Sequence, residues 1–212
     1  MIFEQIRTGG DRNFAYLVGD ETTGEAVVVD PANDPEKVLA RAAHHGLEVV
    51  YLVNTHGHYD HAGGNDTVLA RTGAKLLRAG PGGVADGETF SLGEVGFTCI
   101  HTPGHTPDSM CVLFTAPGGP GRLVTGDTLF VGKVGGTGYG EDARAEYDSL
   151  HGKLMTLPED TEVWPGHDYG TAPSSTIGRE KRTNPFLLRE SFEAFVELKR
   201  NWAAYKKEHG IP

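Results

Sequence analysis

The most informative stretch of the sequence is His56-Gly57-His58-Tyr59-Asp60-His61, which follows the apolar run 49–53. Three imidazoles and one carboxylate within six residues are ligands that borderline divalent metals accept. Alternate residues of an extended backbone face the same side, so His56 and His58 are expected to point to one position, while Asp60 and His61 can face another. The stretch therefore predicts a two-metal site at the end of a buried strand, completed by ligands further along the chain.

Three further candidate ligands follow predicted strands, each beside a glycine. His105, Asp127 and His167 come after the strands predicted at 95–100, 122–125 and 161–164. Glycine next to a ligand permits close backbone approach and unusual dihedral angles. His101 lies before its turn, so we expect a supporting or core role for it. If these strand ends converge at one rim of a sandwich, their side chains meet the His56 loop there.

Hydrophobic periodicity and turn residues divide the chain into alternating strands and helices. Asp34 is expected to cap a first helix that has Pro35 at its first position and runs to about residue 45. Further helices are predicted at 65–71, 143–155, 176–182 and 189–207, and the segment 161–164 is expected to be the last strand. The order predicts two sheets with helices on their outer faces. We expect a single domain over 1–212 with a helical tail from about 174 to 212.

Composition and charge exclude several classes of function. The formal net charge of −10 argues against general nucleic-acid binding, which needs clustered basic residues. Apolar runs of roughly 20 residues, as membrane helices need, are absent from the sequence. No export signal is recognisable at the start, and Cys99 and Cys111 lie in apolar segments, where we expect buried thiols. These features predict a cytoplasmic protein without nucleic-acid or membrane partners, and they leave its oligomeric state open.

The motifs at 55–64, 101–106, 125–128 and 165–169 resemble, in this order, those of the metallo-β-lactamase superfamily. The resemblance covers nearly the whole chain and implies an α/β (α+β) fold, a four-layer αββα sandwich of two mixed sheets with the site at one edge. It implies two groups of ligands bridged by Asp127: the first is His56, His58 and His105, and the second is Asp60, His61 and His167. The implied cofactors are two divalent ions, zinc first, with iron or manganese as alternatives. A water or hydroxide shared by the ions, which Asp60 could orient, would be the nucleophile.

Within the superfamily, the stretches 58–65, 126–130 and 176–187 are similar to hydroxyacylglutathione hydrolases (glyoxalase II). This likeness implies hydrolysis of a small-molecule thioester, such as an S-2-hydroxyacylglutathione, to a hydroxy acid and a thiol. It implies catalytic roles for Asp60 and Asp127, and substrate contacts for Thr137, Tyr139 and Tyr169. Two departures leave the thiol carrier open: the tail is shorter than in full-length members, and the segment 134–139 stands where the family places a lysine.

Other reaction classes remain as alternatives. Persulfide dioxygenases resemble the chain as well, and in that case a single Fe(II) would be held by His56, His105 and Asp127. Tyr59 and the segment 62–64 suit the hydrolase better. A lactonase or β-lactamase-like hydrolase is less favoured because the chain lacks a recognisable export signal. A non-enzymatic, metal-stabilised binding domain is disfavoured because seven ligands exceed the four that a closed structural site uses.

Overall fold

The computed structural model describes residues 1–211, which form two large β-sheets packed face to face between helices, together with a two-stranded sheet. Along the chain the elements are β1 (Ile2–Gly9), β2 (Asn13–Gly19), β3 (Glu25–Val29), α1 (Pro35–His44), β4 (Glu48–Val53), α2 (Tyr59–Ala62), α3 (Asn65–Thr72), β5 (Lys75–Leu77), β6 (Thr89–Leu92), β7 (Val95–His101), β8 (Met110–Thr115), β9 (Arg122–Gly126), β10 (Leu129–Phe130), β11 (Lys133–Val134), α4 (Glu141–Gly152), β12 (Glu162–Pro165), β13 (Ser175–Thr176), α5 (Ile177–Thr183), α6 (Phe192–Arg200) and α7 (Trp202–His209). The first sheet has the order β1-β2-β3-β4-β5 and the second has the order β13-β12-β9-β8-β7-β6. Both are mixed, since β3, β4 and β5 run parallel in the first sheet and β9 and β12 in the second.

Three hydrophobic clusters separate the layers. The central cluster lies between the sheets and includes Tyr16 from the first sheet and Phe97 and Phe114 from the second. A second cluster joins the first sheet to α1 and α3 through residues such as Val38 and Val68. The third packs the other sheet against α4, α5, α6 and α7. Burying apolar side chains on both faces of each sheet gives the predicted four-layer αββα sandwich, which is confirmed.

Two local predictions are also confirmed, namely the cap of the first helix and the burial of the two thiols. The carboxylate of Asp34 accepts a hydrogen bond of 3.1 Å from the amide of Lys37 and caps α1, whose first residue is Pro35. Cys99 and Cys111 are free and buried, and burial raises the pKa of both thiols, to about 12 and about 11. None of the helices in the described part of the chain has the length and apolar character needed to cross a bilayer.

The tail differs from its prediction in two ways. The strand β12 is not the last one, because Ser175–Thr176 forms β13 beside it. The helix expected over 189–207 is two helices, α6 and α7, which break at Asn201, where φ is −102° and ψ is 12°. After this break Trp202 packs on Phe186, with their ring centroids 4.8 Å apart. The predicted helix at 143–155 likewise ends at Gly152 and is followed by a short 3-10 turn at Leu154–Thr156.

An ion-pair cluster fastens α1 to β1 and predicts a pH dependence of stability. Hydrogen bonds from Arg41, together with His45, lower the pKa of Glu4 to about 2, although burial opposes the shift. A lowered folded-state pKa stabilises the protein above the usual value of 4.5, and this contribution is lost as pH falls towards 2. We expect the stability difference between the wild type and Glu4→Gln to be constant above pH 4.5 and to shrink below it. Urea unfolding at several pH values measures this difference. The exposed Glu94→Gln is the control, and an equal pH trend for both variants would contradict the assignment.

Candidate metal centre

All seven predicted ligands lie at the edge where strands of both sheets end. The His56 loop follows β4 and leads into the short helix α2, which carries Asp60 and His61. On the other sheet, His105, Asp127 and His167 follow β7, β9 and β12. The carboxyl ends of parallel neighbours such as β9 and β12 meet at one edge of a sheet, so these loops converge. The structure therefore brings together side chains that are up to 111 positions apart, from 56 to 167.

The ligand atoms form three overlapping groups, in each of which all donor atoms lie within 4.8 Å of one another. These groups are His56, His58 and His105; Asp60, His61 and His167; and His56, His61 and Asp127. The first two match the two predicted groups of three. The third contains one residue from each of them together with Asp127, so the two groups are contiguous. His101 belongs to none of these groups; its amide donates to Asp86 and its buried Nε2 has no hydrogen-bond partner among the described residues.

Hydrogen bonds behind the rings determine which nitrogen faces the site. Nδ1 of His105 donates to the carbonyl of Gly136 at 2.8 Å, and Nδ1 of His167 donates to the carbonyl of Asp11 at 2.8 Å. Because a carbonyl only accepts, Nδ1 carries the proton in both rings. Nε2 is then left with a free lone pair directed into the site. Such contacts behind a ligand fix its tautomer and its orientation.

Asp30 does the same for two other rings, and the sequence analysis did not assign it a role. Its buried carboxylate accepts from Nδ1 of His61 at 3.0 Å and from the hydroxyl of Thr55 at 2.6 Å. Since the Thr55 proton is used in that contact, Thr55 Oγ1 accepts from Nδ1 of His56 at 3.1 Å. His56 and His61 therefore also present Nε2 to the site. His58 is the exception, because its Nδ1 is the nitrogen that faces its neighbours.

Asp127 lies between the two groups and faces both. Its Oδ1 is 3.3 Å from Nε2 of His61 and 3.4 Å from Nε2 of His167, while its Oδ2 is 3.6 Å from Nε2 of His105. The buried Oδ1 has no hydrogen-bond partner among the described residues, although a buried carboxylate oxygen is costly to leave unpaired. One carboxylate is thus directed at both clusters of ring nitrogens.

Burial and neighbouring charges shift the pKa values of these groups in opposite directions. Burial and repulsion from His61 lower the pKa of His56 to about 4. For His61, burial also lowers the pKa, but the carboxylates of Asp127, 3.3 Å away, and of Asp30, which accepts from its Nδ1, outweigh it and raise the pKa to about 10. The contact with His61, together with the charges of His167 and His56, holds the pKa of Asp127 well below its usual range although burial raises it. His61 thus carries a second ring proton among carboxylates, and a cation bound there would replace it.

The spacing of the inward nitrogens fits a divalent metal. Nε2 of His56 is 2.9 Å from Nδ1 of His58, which is 3.2 Å from Nε2 of His105, and the Nε2 atoms of His61 and His167 are 3.1 Å apart. Two nitrogens bound to one tetrahedral ion at about 2.0–2.1 Å would be separated by roughly 3.3 Å. The observed separations of 2.9–3.2 Å are close to this value. The donor set of imidazoles and carboxylates suits zinc, iron and manganese alike.

A basic cavity of about 450 Å³ borders the metal centre through Tyr169. The ring of Tyr169 stacks on His167 with centroids 4.6 Å apart and planes 5° apart, and its hydroxyl donates to Asp11. The cavity wall carries four basic side chains and one further aromatic ring, namely Arg12, Lys133, Arg179, Lys206 and Trp202. Nζ of Lys133 lies 4.3 Å from the Tyr169 ring centroid, so a lysine is present one residue before the segment 134–139 where none was expected.

The other two predicted substrate residues lie elsewhere. Thr137 and Tyr139 line a smaller cavity of about 160 Å³ on the far side of Lys133. Tyr139 is 51% exposed and lies beneath the guanidinium of Arg200. Of the three candidates, only Tyr169 touches a ring of the metal centre. Asn13, also missed by the sequence analysis, donates to Oδ2 of Asp60 at 3.1 Å and holds that carboxylate at the mouth of the site.

Comparison with known proteins gives a consistent result. The family model described as the metallo-β-lactamase superfamily matches residues 8–85 and 78–167. A hydroxyacylglutathione hydrolase of a Polaromonas species is 43% identical over 180 residues, covering 80% of this chain and 67% of that protein. The human mitochondrial persulfide dioxygenase ETHE1 is 33% identical over 201 residues, covering 89% of this chain and 76% of that protein. The crystal structure of ETHE1 from Myxococcus xanthus superposes with a TM-score of 0.82 at 32% identity, covering 95% of this chain and 91% of that one. The chain belongs to the metallo-β-lactamase superfamily.

Proposed function

We propose that the protein is a metal-dependent hydrolase of thioesters, of the hydroxyacylglutathione hydrolase kind. The observation that carries the proposal is the arrangement of histidine nitrogens in two adjacent groups, with the Asp127 carboxylate facing both. A basic cavity lies beside them. The relative named hydroxyacylglutathione hydrolase at 43% identity supports the reaction class. The products would be a hydroxy acid and a thiol.

In this proposal two divalent ions occupy the centre, with zinc as the first candidate and iron or manganese as alternatives. One ion would be held by His56, His58 and His105, and the other by Asp60, His61 and His167, with Asp127 shared between them. The support is geometric, since each group of donor atoms fits within 4.8 Å and Asp127 faces both. Bound there, the ions would lower the pKa of a water molecule and polarise the thioester carbonyl.

Asp60 has the position required to orient the attacking water. Its side chain is 44% exposed at the mouth of the site, and Asn13 fixes its Oδ2. Burial raises the pKa of Asp60, but the Asn13 hydrogen bond and the nearby imidazoles lower it overall, so the group is a carboxylate at neutral pH. Oδ2 can accept the proton of the water whose oxygen adds to the carbonyl carbon. The carbon–sulfur bond then breaks, and the sulfur leaves as a thiolate, which is stable enough near pH 8 to need no separate acid.

The basic cavity indicates the chemistry of the thiol carrier. Four cationic side chains around about 450 Å³ suit a carrier with carboxylates, as glutathione has. Glu180 also borders the cavity, but its carboxylate is occupied by Ser175, Asn184 and the amide of Gly132. These contacts hold the turn that carries Lys133, so Glu180 helps to shape the cavity.

One variant tests the cavity. Replacing Lys133 with methionine should raise KM for an anionic glutathione thioester about tenfold, with kcat nearly unchanged, because a hydrogen-bonded charge contact is lost in both ground and transition states. KM for a neutral thioester of N-acetylcysteamine should stay the same, which serves as the control. Steady-state kinetics on both substrates makes the comparison. An equal loss on both substrates would place Lys133 outside carrier recognition.

Persulfide dioxygenase activity is the second candidate, supported by the 33% identical human relative of that name. It would need one Fe(II), held by His56, His105 and Asp127. Elemental analysis of protein purified without chelator, together with thioester turnover and oxygen uptake on glutathione persulfide, separates the two. About two metal equivalents with thioester hydrolysis supports our proposal. A single iron with oxygen uptake would overturn it.

The remaining parts of the proposal concern organisation and location. We treat residues 1–212 as one catalytic domain, whose tail from about 174 supplies one wall of the basic cavity through Arg179 and Trp202. The cytoplasm is the proposed location, supported by the two buried free thiols.

A further inference from the structure

A buried ion pair lies behind the metal centre and has no part in the proposed chemistry. Nζ of Lys199 on α6 is 2.5 Å from Oε2 of Glu146 on α4, and the two side chains are 7% and 1% exposed. The contact is an ion pair without well-directed geometry, since neither Glu146 oxygen meets a hydrogen-bond partner among the described residues. Burial raises the pKa of Glu146 to about 7 even though the ammonium opposes the shift. Such a pair is costly to bury.

The ion pair is connected to the ring of His105 through the backbone turn 135–136. Nζ of Lys199 donates to the carbonyl of Gly135 at 2.7 Å. The next carbonyl, that of Gly136, accepts from Nδ1 of His105 at 2.8 Å. Two successive carbonyls thus connect a lysine of the C-terminal tail to a ring that faces His58 and Asp127.

Close packing leaves little room for the backbone between Lys199 and His105 to move. A Cβ on Gly104, the residue before His105, would lie 2.4 Å from Cβ of Glu146. A Cβ on Gly135 would lie 2.1 Å from the carbonyl oxygen of Asp127 and 3.1 Å from Oε1 of Glu146. The Glu146 segment of α4 therefore supports both the His105 loop and the turn 135–136 at contact distance. Loss of the Lys199 contact would remove the hydrogen bond that holds the Gly135 carbonyl of this turn.

We infer that Lys199, held in place by Glu146, is a positioning residue for the metal centre. Its ammonium fixes the turn 135–136 so that the Gly136 carbonyl keeps the proton of His105 on Nδ1 and leaves Nε2 for the ion. The tail helix α6 thereby sets the metal affinity of a centre to which it contributes no ligand. This inference rests on the proposed metal site.

The test uses a change that removes the pair without leaving one charge buried. Replacing a buried ion pair with apolar residues of similar volume is often neutral for stability, so the double variant Glu146→Leu/Lys199→Met is expected to fold. We expect its Kd for Zn²⁺, measured by competition with a chelator, to rise at least about tenfold, as loss of contacts behind a ligand usually does. In the metal-free protein, ¹⁵N NMR should show the His105 ring losing its preference for the Nδ1–H tautomer. Lys207→Met, which removes one exposed ammonium from the tail as Lys199→Met removes a buried one, should alter neither quantity.

The outcomes are distinct. A folded double variant with unchanged Zn²⁺ affinity and an unchanged His105 tautomer would overturn the inference. Should the double variant fail to fold, Lys199→Gln is measured in its place and the same two results decide. If the wild type itself neither binds Zn²⁺ nor cleaves thioesters, the proposed function fails, whereas the tautomer of His105 still decides the role of Lys199.

Discussion

Replacing Asp127 with alanine should lower kcat/KM for thioester hydrolysis at least ~100-fold and leave the protein with less than its full complement of metal. Contacts behind a metal ligand are typically worth 10–100-fold in affinity or activity, and a shared ligand should be worth more. The two Asp127 oxygens lie 3.3–3.6 Å from ring nitrogens of both groups, so the substitution weakens both at once. Elemental analysis and kinetics on the same preparation measure the two effects.

The exposed Asp160→Ala is the control for the loss of one carboxylate. It should bind the same amount of metal as the wild type and retain its activity. Full metal content and activity in the Asp127→Ala protein would contradict the assignment of Asp127 as the shared ligand.

A single methyl group at Gly166 should damage the centre without changing any ligand. A Cβ at this position would lie 2.7 Å from Oδ1 of Asp127 and 2.8 Å from Cε1 of His61, distances that require one of these groups to move. Since a misplacement of about 1 Å can cost about 100-fold in rate, we expect Gly166→Ala to lower kcat/KM by that order. The position of its backbone is fixed on both sides, by hydrogen bonds of 2.8 Å to Gly126 and 2.9 Å from Phe14, so it has little freedom to yield.

Gly119→Ala adds the same methyl group in an exposed turn, where no atom lies within 4 Å of the new Cβ. It should have no effect on kinetics or metal content. Equal behaviour of the two alanine variants would show that the centre tolerates displacement and would contradict the close packing described here.

The fold could be predicted largely because the apolar strands and their glycine-rich turns are well separated in sequence. The convergence of the seven side chains of the candidate site could be predicted because histidines and aspartates follow four strands beside glycines. Asp30 was missed although it also ends a strand, β3, whose parallel neighbour β4 leads into the His56 loop. A lone aspartate before Pro31 resembles an ordinary turn, and only the fold shows that its carboxylate reaches His61.

The tail could be predicted less well, for physical reasons. The apolar and charged residues of 189–207 keep a helical period through Asn201, so the pattern contains no signal for the break between α6 and α7. At the break Trp202 packs against Phe186, a tertiary contact that the local sequence pattern does not contain. The role of Lys133 could not be predicted because the resemblance places the family's lysine within the segment 134–139, which contains none. The turn held by Glu180 instead directs the side chain before that point towards Tyr169.

The two sheets are built from separate halves of the chain, residues 2–77 and 89–176, yet each group of three ligands takes donors from both. An ion bound at this edge would therefore cross-link the two halves of the chain. Separating the sheets would divide both ligand groups, moving His56 and His58 away from His105, and Asp60 and His61 away from His167. Metal binding and the docking of one half on the other are then linked equilibria. The free energy of that docking would depend on the concentration of available metal in the cell.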